Sequence, residues 1–434
     1  MLRIPSLLVA YLFVLCFGAC NAPEKLASPN YLTLSEGFVN PLGFYNATPT
    51  FSWQLPVNKD VKKQQAYRIV VASSPDLLPN NADLWDSKKQ KSDQSAWIKY
   101  NGKALQSRDK VYWQVQYWNQ DDVISHWSKT SHFELGLLSN NDWKATWIGL
   151  DTKKEKVMGS QDNILHRPQY LRKDFNLPNN IAYARLYITA KGVFDVAING
   201  KDVSDDVMPP GYTPYKKRIE TITYNVSDLV TAGKNAIGIE VAAGWHSGRL
   251  GWMKSFWSDT ETPKIICQLE VTTKDGAKQI IVSDKSWKGT TNGPIRLAEI
   301  YDGETYDANL EMANWTTTNF KATNWKAVNT FPVTNNIRLE PKRHTTVKTN
   351  IKIAAKEIIE KDGAVIFDLK QNMVGVPLVK VPMKKGQTLK IRFAEMLSPD
   401  GTFYTENYRS AASTNYYTAS KDGVIEWMPK FTFH

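Results

Sequence analysis

The chain has 434 residues, a formal net charge of +11, and is 42 % hydrophobic and 12 % aromatic. That length is too great for one core and predicts two to four domains, and the apolar content excludes a disordered chain. The Lys and Arg residues are spread in short mixed-sign runs such as Lys153-Lys-Glu-Lys156. The basic balance therefore reads as solvated surface rather than nucleic-acid binding, with an acidic polysaccharide partner as the functional alternative.

Arg3 precedes an apolar run, Leu7 to Ala19, that is too short to span a bilayer comfortably and ends in small residues. This is the layout of a secretory signal peptide over residues 1–19. Phe17-Gly-Ala-Cys20 resembles the lipobox of bacterial lipoproteins, which makes Cys20 an acylated N-terminus. An ordinary signal peptide with an incidental cysteine is the alternative. Residues 20–30 are polar, contain proline and suit a lipidated tether. The expected location is exported and held to the outer membrane by lipid only, on the periplasmic side or at the cell surface. With Cys16 lost and Cys20 lipidated, Cys267 stands alone in the strand-like run Lys264-Ile-Ile-Cys-Gln-Leu-Glu-Val271. It reads as a buried, inert thiol, so stability rests on β cores and not on disulfides.

Residues 31–138 read as a fibronectin- or immunoglobulin-like sandwich. Strand candidates recur every ten to twenty residues, among them Ala66–Ala72 and Val111–Trp118. In the latter Val111, Trp113, Val115 and Tyr117 share one face, and Gln114 and Gln116 the other, which is the period of two of a half-buried strand. Residues 139–344 read as a jelly roll. There Val193–Gly200 alternates with Phe194, Val196 and Ile198 inward and Asp195, Ala197 and Asn199 on the other face, and Asn199-Gly200 is a hairpin signal. Residues 345–434 read as a third β-sandwich, cut short because the chain stops on the strand-like Phe431-Thr-Phe-His434. The fold class is all-β, in tandem sandwiches. Only short stretches such as Ala355–Glu360 have helical character.

No phosphate loop is present, Gly244-Trp-His-Ser-Gly248 is not a nucleophile elbow, and the six His show no metal-binding spacing. Two acidic clusters stand out, Glu299/Asp302/Glu304/Asp307 and Asp202/Asp205/Asp206. Each can be read as solvated turns, as sugar or calcium ligands, or as the paired carboxylates of glycoside hydrolysis. Pro209–Tyr215, Gly244-Trp245-His246 and Gly251-Trp252 set aromatic rings beside glycines, where a sugar face can pack. Core filling is the other reading of those rings.

Four stretches together resemble the N-terminal half of bacterial α-L-rhamnosidases, glycosidases with an (α/α)6 catalytic barrel. They are Asn40–Gly43 with Phe51-Ser-Trp53 and Asp83–Asp86; Asn199-Gly200 through Pro210–Tyr215; Gly303–Ala308; and Gln371–Gly375 with Arg392–Glu395, Tyr404–Asn407 and Phe431–His434. The resemblance implies hydrolysis of terminal α-L-rhamnose from glycans or rhamnosides with inversion. The catalytic acids would lie in a barrel this sequence does not reach, so no catalytic residue is assigned. It also implies a rhamnose-binding jelly roll, with Asn199 and Asp307 at motif positions and Tyr215, Trp245 and Glu304 as further carbohydrate-binding candidates. No cofactor is required, and calcium near Asp195 and Asn199 is the one metal the resemblance brings in. Glu395 and Glu406 read as structural. A rhamnose-binding surface lipoprotein without catalysis, and a plain spacer, are the alternatives.

Overall fold

The structure is a computed structural model that describes residues 25–152, 155–156, 158, 164–250, 261–355, 357–361 and 363–434. The expected leader, Cys20 and Gly251-Trp252 lie outside the described residues. Among those described, no helix is long and apolar enough to cross a membrane. The chain forms two compact units. The first comprises residues up to 39 with 48–103 and 111–132, and the second 40–47, 104–110 and 133–434.

In the first unit, Thr50–Gln54 runs between Asn30–Leu34 and Ile98–Lys99. Opposite it, Gln64–Ala72 pairs antiparallel with Lys110–Asn119, placing Ile69 beside Val115 and Val71 beside Trp113. Val111, Trp113, Val115 and Tyr117 are all fully buried, as their alternation predicts. The opposite face of that strand is covered as well. Gln116 is buried and Gln114 donates to the Ser128 carbonyl at 3.0 Å. The Asp83–Asp86 motif is structural. Trp85 stacks near Phe51 and meets Tyr100 edge-on, while Asp86 takes a bidentate ion pair from Arg68 at 2.8–2.9 Å.

The second unit contains a two-sheet sandwich. One sheet runs in the order Asn329–Phe331, Trp147–Gly149, Lys264–Thr273, Ile181–Lys191, Arg218–Asn225, Arg338–Pro341. The other runs Lys201–Asp202, Val193–Ile198, Gly233–Ala242, Gln169–Leu177, Lys288–Thr290, Lys326–Ala327. Phe194, Val196 and Ile198 fill the core between the sheets, with Ile188, Ile237, Ile239, Leu269 and Trp287. Cys267 lies in that core, and burial pushes its thiol up to about 12, so little thiolate exists at neutral pH.

The hairpin Ile295–Glu299/Gly303–Asp307 leaves this sandwich's two sheets. It joins Thr414–Thr418 and Thr388–Arg392 in a sheet of its own, with Gly303–Asp307 parallel to Thr414–Thr418. Gly303 sits at φ +108 against the Thr414 carbonyl, leaving no room for a side chain, which accounts for the glycine that opens the Gly303–Ala308 motif. Tyr306, Tyr417 and Trp427 pack together there, the two tyrosines stacked at 5.5 Å. The helical character read at Ala355–Glu360 is not realised. Glu357–Lys361 pairs as a strand with Ala364–Asp368. The β-branched Ile358-Ile359 pair and a positive-φ Gly363 favour a hairpin over an isolated helical turn.

Candidate functional site

The polar face of Val193–Ile198 meets that of Gly233–Ala242, with Asp195 opposite Glu240 and Ala197 opposite Gly238. Since Phe194, Val196 and Ile198 point into the core, these residues face outward. Lys430 reaches over them, its Nζ 2.6 Å from Asp195 Oδ2 and 3.0 Å from Glu240 Oε2. Burial works against that ammonium, but Glu240 and Asp195 outweigh it and hold its pKa above the ordinary lysine range. Trp315 and Thr316 close over Gly238, where a Cβ would lie only 2.6 Å from either side chain. These residues and the exposed Asp202 line a hollow of about 120 Å³. One strand further on, Tyr170 holds Trp315 edge-on at 5.5 Å.

The acidic cluster at residues 299–307 is largely a set of buried clasps. Glu299 accepts the backbone N–H groups of Arg249, Tyr301 and Asp302 at 2.8–3.0 Å, and its carboxylate lies 3.6 Å from the Arg249 guanidinium. Asp302 pairs with the same guanidinium, which also donates to the Ser410 carbonyl at 3.0 Å. Glu304 is 1 % exposed and accepts from the backbone N–H of Lys430 and of Phe431. Burial pushes its carboxyl up to about 7. Asp307 caps the short turn Ala308–Leu310 by accepting from Asn309 N at 3.0 Å. In the second cluster, Asp205 pairs with Lys348, and Asp206 accepts from the Tyr224 hydroxyl at 2.7 Å. With Glu299, Asp302 and Glu304 enclosed and hydrogen-bonded, the first cluster does not offer the two open carboxylates that flank a scissile bond.

The five carbohydrate-binding candidates fall into three settings. Asn199 sits at φ +52 in the turn after Val193–Ile198. Its amide donates to the Leu229 carbonyl and Asn235 Oδ1, and its oxygen accepts from Ala236 N. Tyr215 is buried against His246, edge-on at 5.0 Å, in an apolar cluster that half-buried Trp245 joins. Glu304 and Asp307 lie on the Gly303–Asp307 strand as described. The calcium expectation fares poorly on these contacts. Asp195 is already neutralised by Lys430, and Asn199 has committed its oxygen to the backbone, so the two do not form a calcium donor set. Of the residues around the hollow, the alternation of Val193–Gly200 marks Asp195 and Ala197, and Asp202 stands in an acidic run. Glu240, Trp315 and Lys430 carry no local signal. Gly238, a glycine between Ile237 and Ile239 inside a strand, is the clue to a close approach.

The fold defines a chain of β-sandwich domains. Three family models match the chain: the Rha78A-like N-terminal immunoglobulin domain over residues 31–139, the α-L-rhamnosidase N-terminal domain over 179–350, and the bacterial α-L-rhamnosidase concanavalin-like domain over 358–434. The chain is built from the N-terminal domains of the bacterial α-L-rhamnosidase family. It is 70 % identical to an α-L-rhamnosidase of Formosa agariphila over 99 % of this chain and 47 % of that protein, and 45 % identical to one of Alteromonas sp. over 98 % and 46 %. Among solved structures, the α-L-rhamnosidase from Dictyoglumus thermophilum matches with a TM-score of 0.86 at 32 % identity, covering 94 % of this chain and 46 % of that one. The Streptomyces avermitilis α-L-rhamnosidase complexed with L-rhamnose matches with a TM-score of 0.85 at 27 % identity, over 93 % and 55 %. The chain thus spans about half the length of the curated relatives it matches.

Proposed function

We propose that the chain is the accessory β-sandwich part of an exported α-L-rhamnosidase that removes terminal, non-reducing α-L-rhamnose from glycans or rhamnosides with inversion. The observation that carries this is the 70 % identity over 99 % of the chain to an α-L-rhamnosidase of about twice the length. The enclosed acidic cluster supports placing the general acid and base outside these residues. Hydrolysis of a chromogenic α-L-rhamnoside tests it, comparing the 434-residue product with one extended through the downstream reading frame. Turnover by the extended form alone supports the reading. Turnover by the short chain at a comparable rate overturns it.

The apolar run before Cys20 supports acylation of that cysteine and attachment to a membrane by lipid alone. More than one acyl chain is needed for firm anchoring, since each buried methylene contributes about 0.8 kcal/mol. Replacing Cys20 with Ala should move the exported protein from the membrane fraction to the soluble one. Retention in the membrane would count against lipidation.

A further inference from the structure

We propose that the outward face of the three-stranded sheet in the first unit is a platform for an extended, uronate-bearing glycan strand, held between the rings of Tyr31 and Trp97. The platform belongs to the immunoglobulin-like unit and not to the jelly roll. Only the choice of a rhamnose-containing polymer as probe rests on the reading of the chain as part of a rhamnosidase.

The backbone beneath both rings is the first argument. Tyr31 sits at φ +46 and Trp97 at φ +56, a region that bulky residues rarely enter. In Asn30–Leu34, Asn30 faces Gln54 and Thr33 faces Ser52, so Tyr31 and Leu32 together oppose Trp53. That is a bulge, and a left-handed first position in a bulge ordinarily takes glycine. Trp97 is pinned from both sides. The Ser95 carbonyl accepts from Trp53 N at 2.9 Å, Ile98 pairs with Phe51, and Trp97 N itself donates to Ser52 Oγ at 3.0 Å. Glycine at either position would relieve the backbone, so a large ring kept there points to a use for the ring.

That use is not packing. Tyr31 is 63 % and Trp97 71 % exposed, and neither meets another ring among the described residues. Phe51 and Trp53 turn into the core, so Thr50, Ser52 and Gln54 line the opposite face of the central strand. The strands bearing or adjoining the two aromatic residues flank that strand on either side. With neighbouring strands about 4.8 Å apart, the rings are based roughly 10 Å apart across a stripe of hydroxyl and amide groups.

This arrangement selects the ligand. Sugar C–H faces pack on exposed rings while their hydroxyls exchange hydrogen bonds with a polar stripe. A lipid surface calls instead for a continuous apolar face. Among these six residues the only charge is the ammonium of Lys99, exposed opposite Thr50 and without an ion pair among the described residues. A carboxylate on the glycan would complete it.

The test is affinity electrophoresis of the chain lacking residues 1–20 in gels containing soluble rhamnogalacturonan, with a neutral galactan in parallel gels. Retardation is expected in the first and less in the second. Tyr31→Gly and Trp97→Gly should each weaken binding about tenfold. Both should leave the urea midpoint unchanged or raised, because glycine suits the two φ values. Affinity that falls without stability separates a ligand platform from a structural role. Lys99→Ala should remove the preference for the uronate polymer. No retardation of the wild type, or affinity unchanged in both glycine variants, would overturn the platform. Equal retardation by the two polymers would overturn the choice of a uronate. Binding to vesicles of phosphatidylethanolamine and phosphatidylglycerol that both glycine variants abolish would assign the rings to a lipid surface and overturn the glycan. If the extended protein hydrolyses a rhamnoside but ignores the polymer, the platform fails and the enzyme reading stands.

Discussion

The backbone N–H of Lys430 donates to the buried carboxylate of Glu304 at 2.9 Å. The same lysine sends its ammonium 2.6 Å from Asp195, on the jelly roll's outer face. One residue therefore joins a buried acid in the third sheet to an open hollow on the second.

Glu304 should make stability fall as pH rises. Its carboxyl is raised by burial to about 7 from an ordinary 4.5, so between those values the folded chain holds a proton that the unfolded chain has released. The stabilisation is fully present below pH 4.5 and is lost as pH climbs through about 7. Urea melts at pH 5 and pH 8 should show a decline of a few kcal/mol in the wild type, since each pH unit between the two values is worth ~1.4 kcal/mol. Glu304→Gln, which keeps an acceptor for the two N–H groups, should flatten it. An equal decline in that variant would assign the effect to other groups.

Arg249→Met should be among the most destabilising single changes in the second unit. It removes the guanidinium that pairs with both Glu299 and Asp302, two carboxylates without solvent exposure. Removing one partner of a buried ionic group costs about 3–5 kcal/mol. A loss below about 1 kcal/mol in denaturant melts would mean that Glu299 is neutral in the folded chain, the direction in which burial pushes it.

Cys267 should resist thiol reagents in the folded chain lacking residues 1–20. The thiol is 2 % exposed and its pKa is raised to about 12 by burial. Labelling by a disulfide reagent should be slow in buffer and complete in denaturant, with a rate that follows unfolding. Fast labelling in buffer would show that the core around Ile188 and Leu269 opens readily.

The net charge of +11 should make uronic-acid-bearing rhamnosides bind more tightly than neutral ones at low salt. Raising ionic strength shortens the screening length and should remove the difference, as about 8 Å at 0.15 M falls to 3 Å at 1 M. Equal, salt-insensitive binding of both ligands would leave the surface charge without a role in recognition.

Local pattern was enough for much of the fold. The period of two in Val111–Tyr117 and Val193–Ile198 identifies each strand and its buried face, since alternation is a property of a few neighbouring residues. Long-range pairing was not legible. The motif Gly303–Asp307 reads as part of the jelly roll by its place in the chain, yet its hydrogen-bonding partner is Thr414–Thr418. Nothing in five residues encodes a partner more than a hundred positions away. The same limit hides the hollow, which collects residues 195, 202, 240, 315 and 430 from separate stretches. Asn199 shows the converse. Its hairpin signal is correct, but the conformational demand of the turn uses up the side chain that sequence reading offered to a ligand.

The parallel seam between Gly303–Asp307 and Thr414–Thr418 also bears on how such a chain can be rearranged in evolution. A break near residue 344 looks like a clean boundary in sequence, but it would leave a hairpin on one fragment and its sheet neighbours on the other. Neither piece would inherit a finished sheet. Recombination that swapped one of these sandwiches alone would leave unpaired strand edges along this seam on both products.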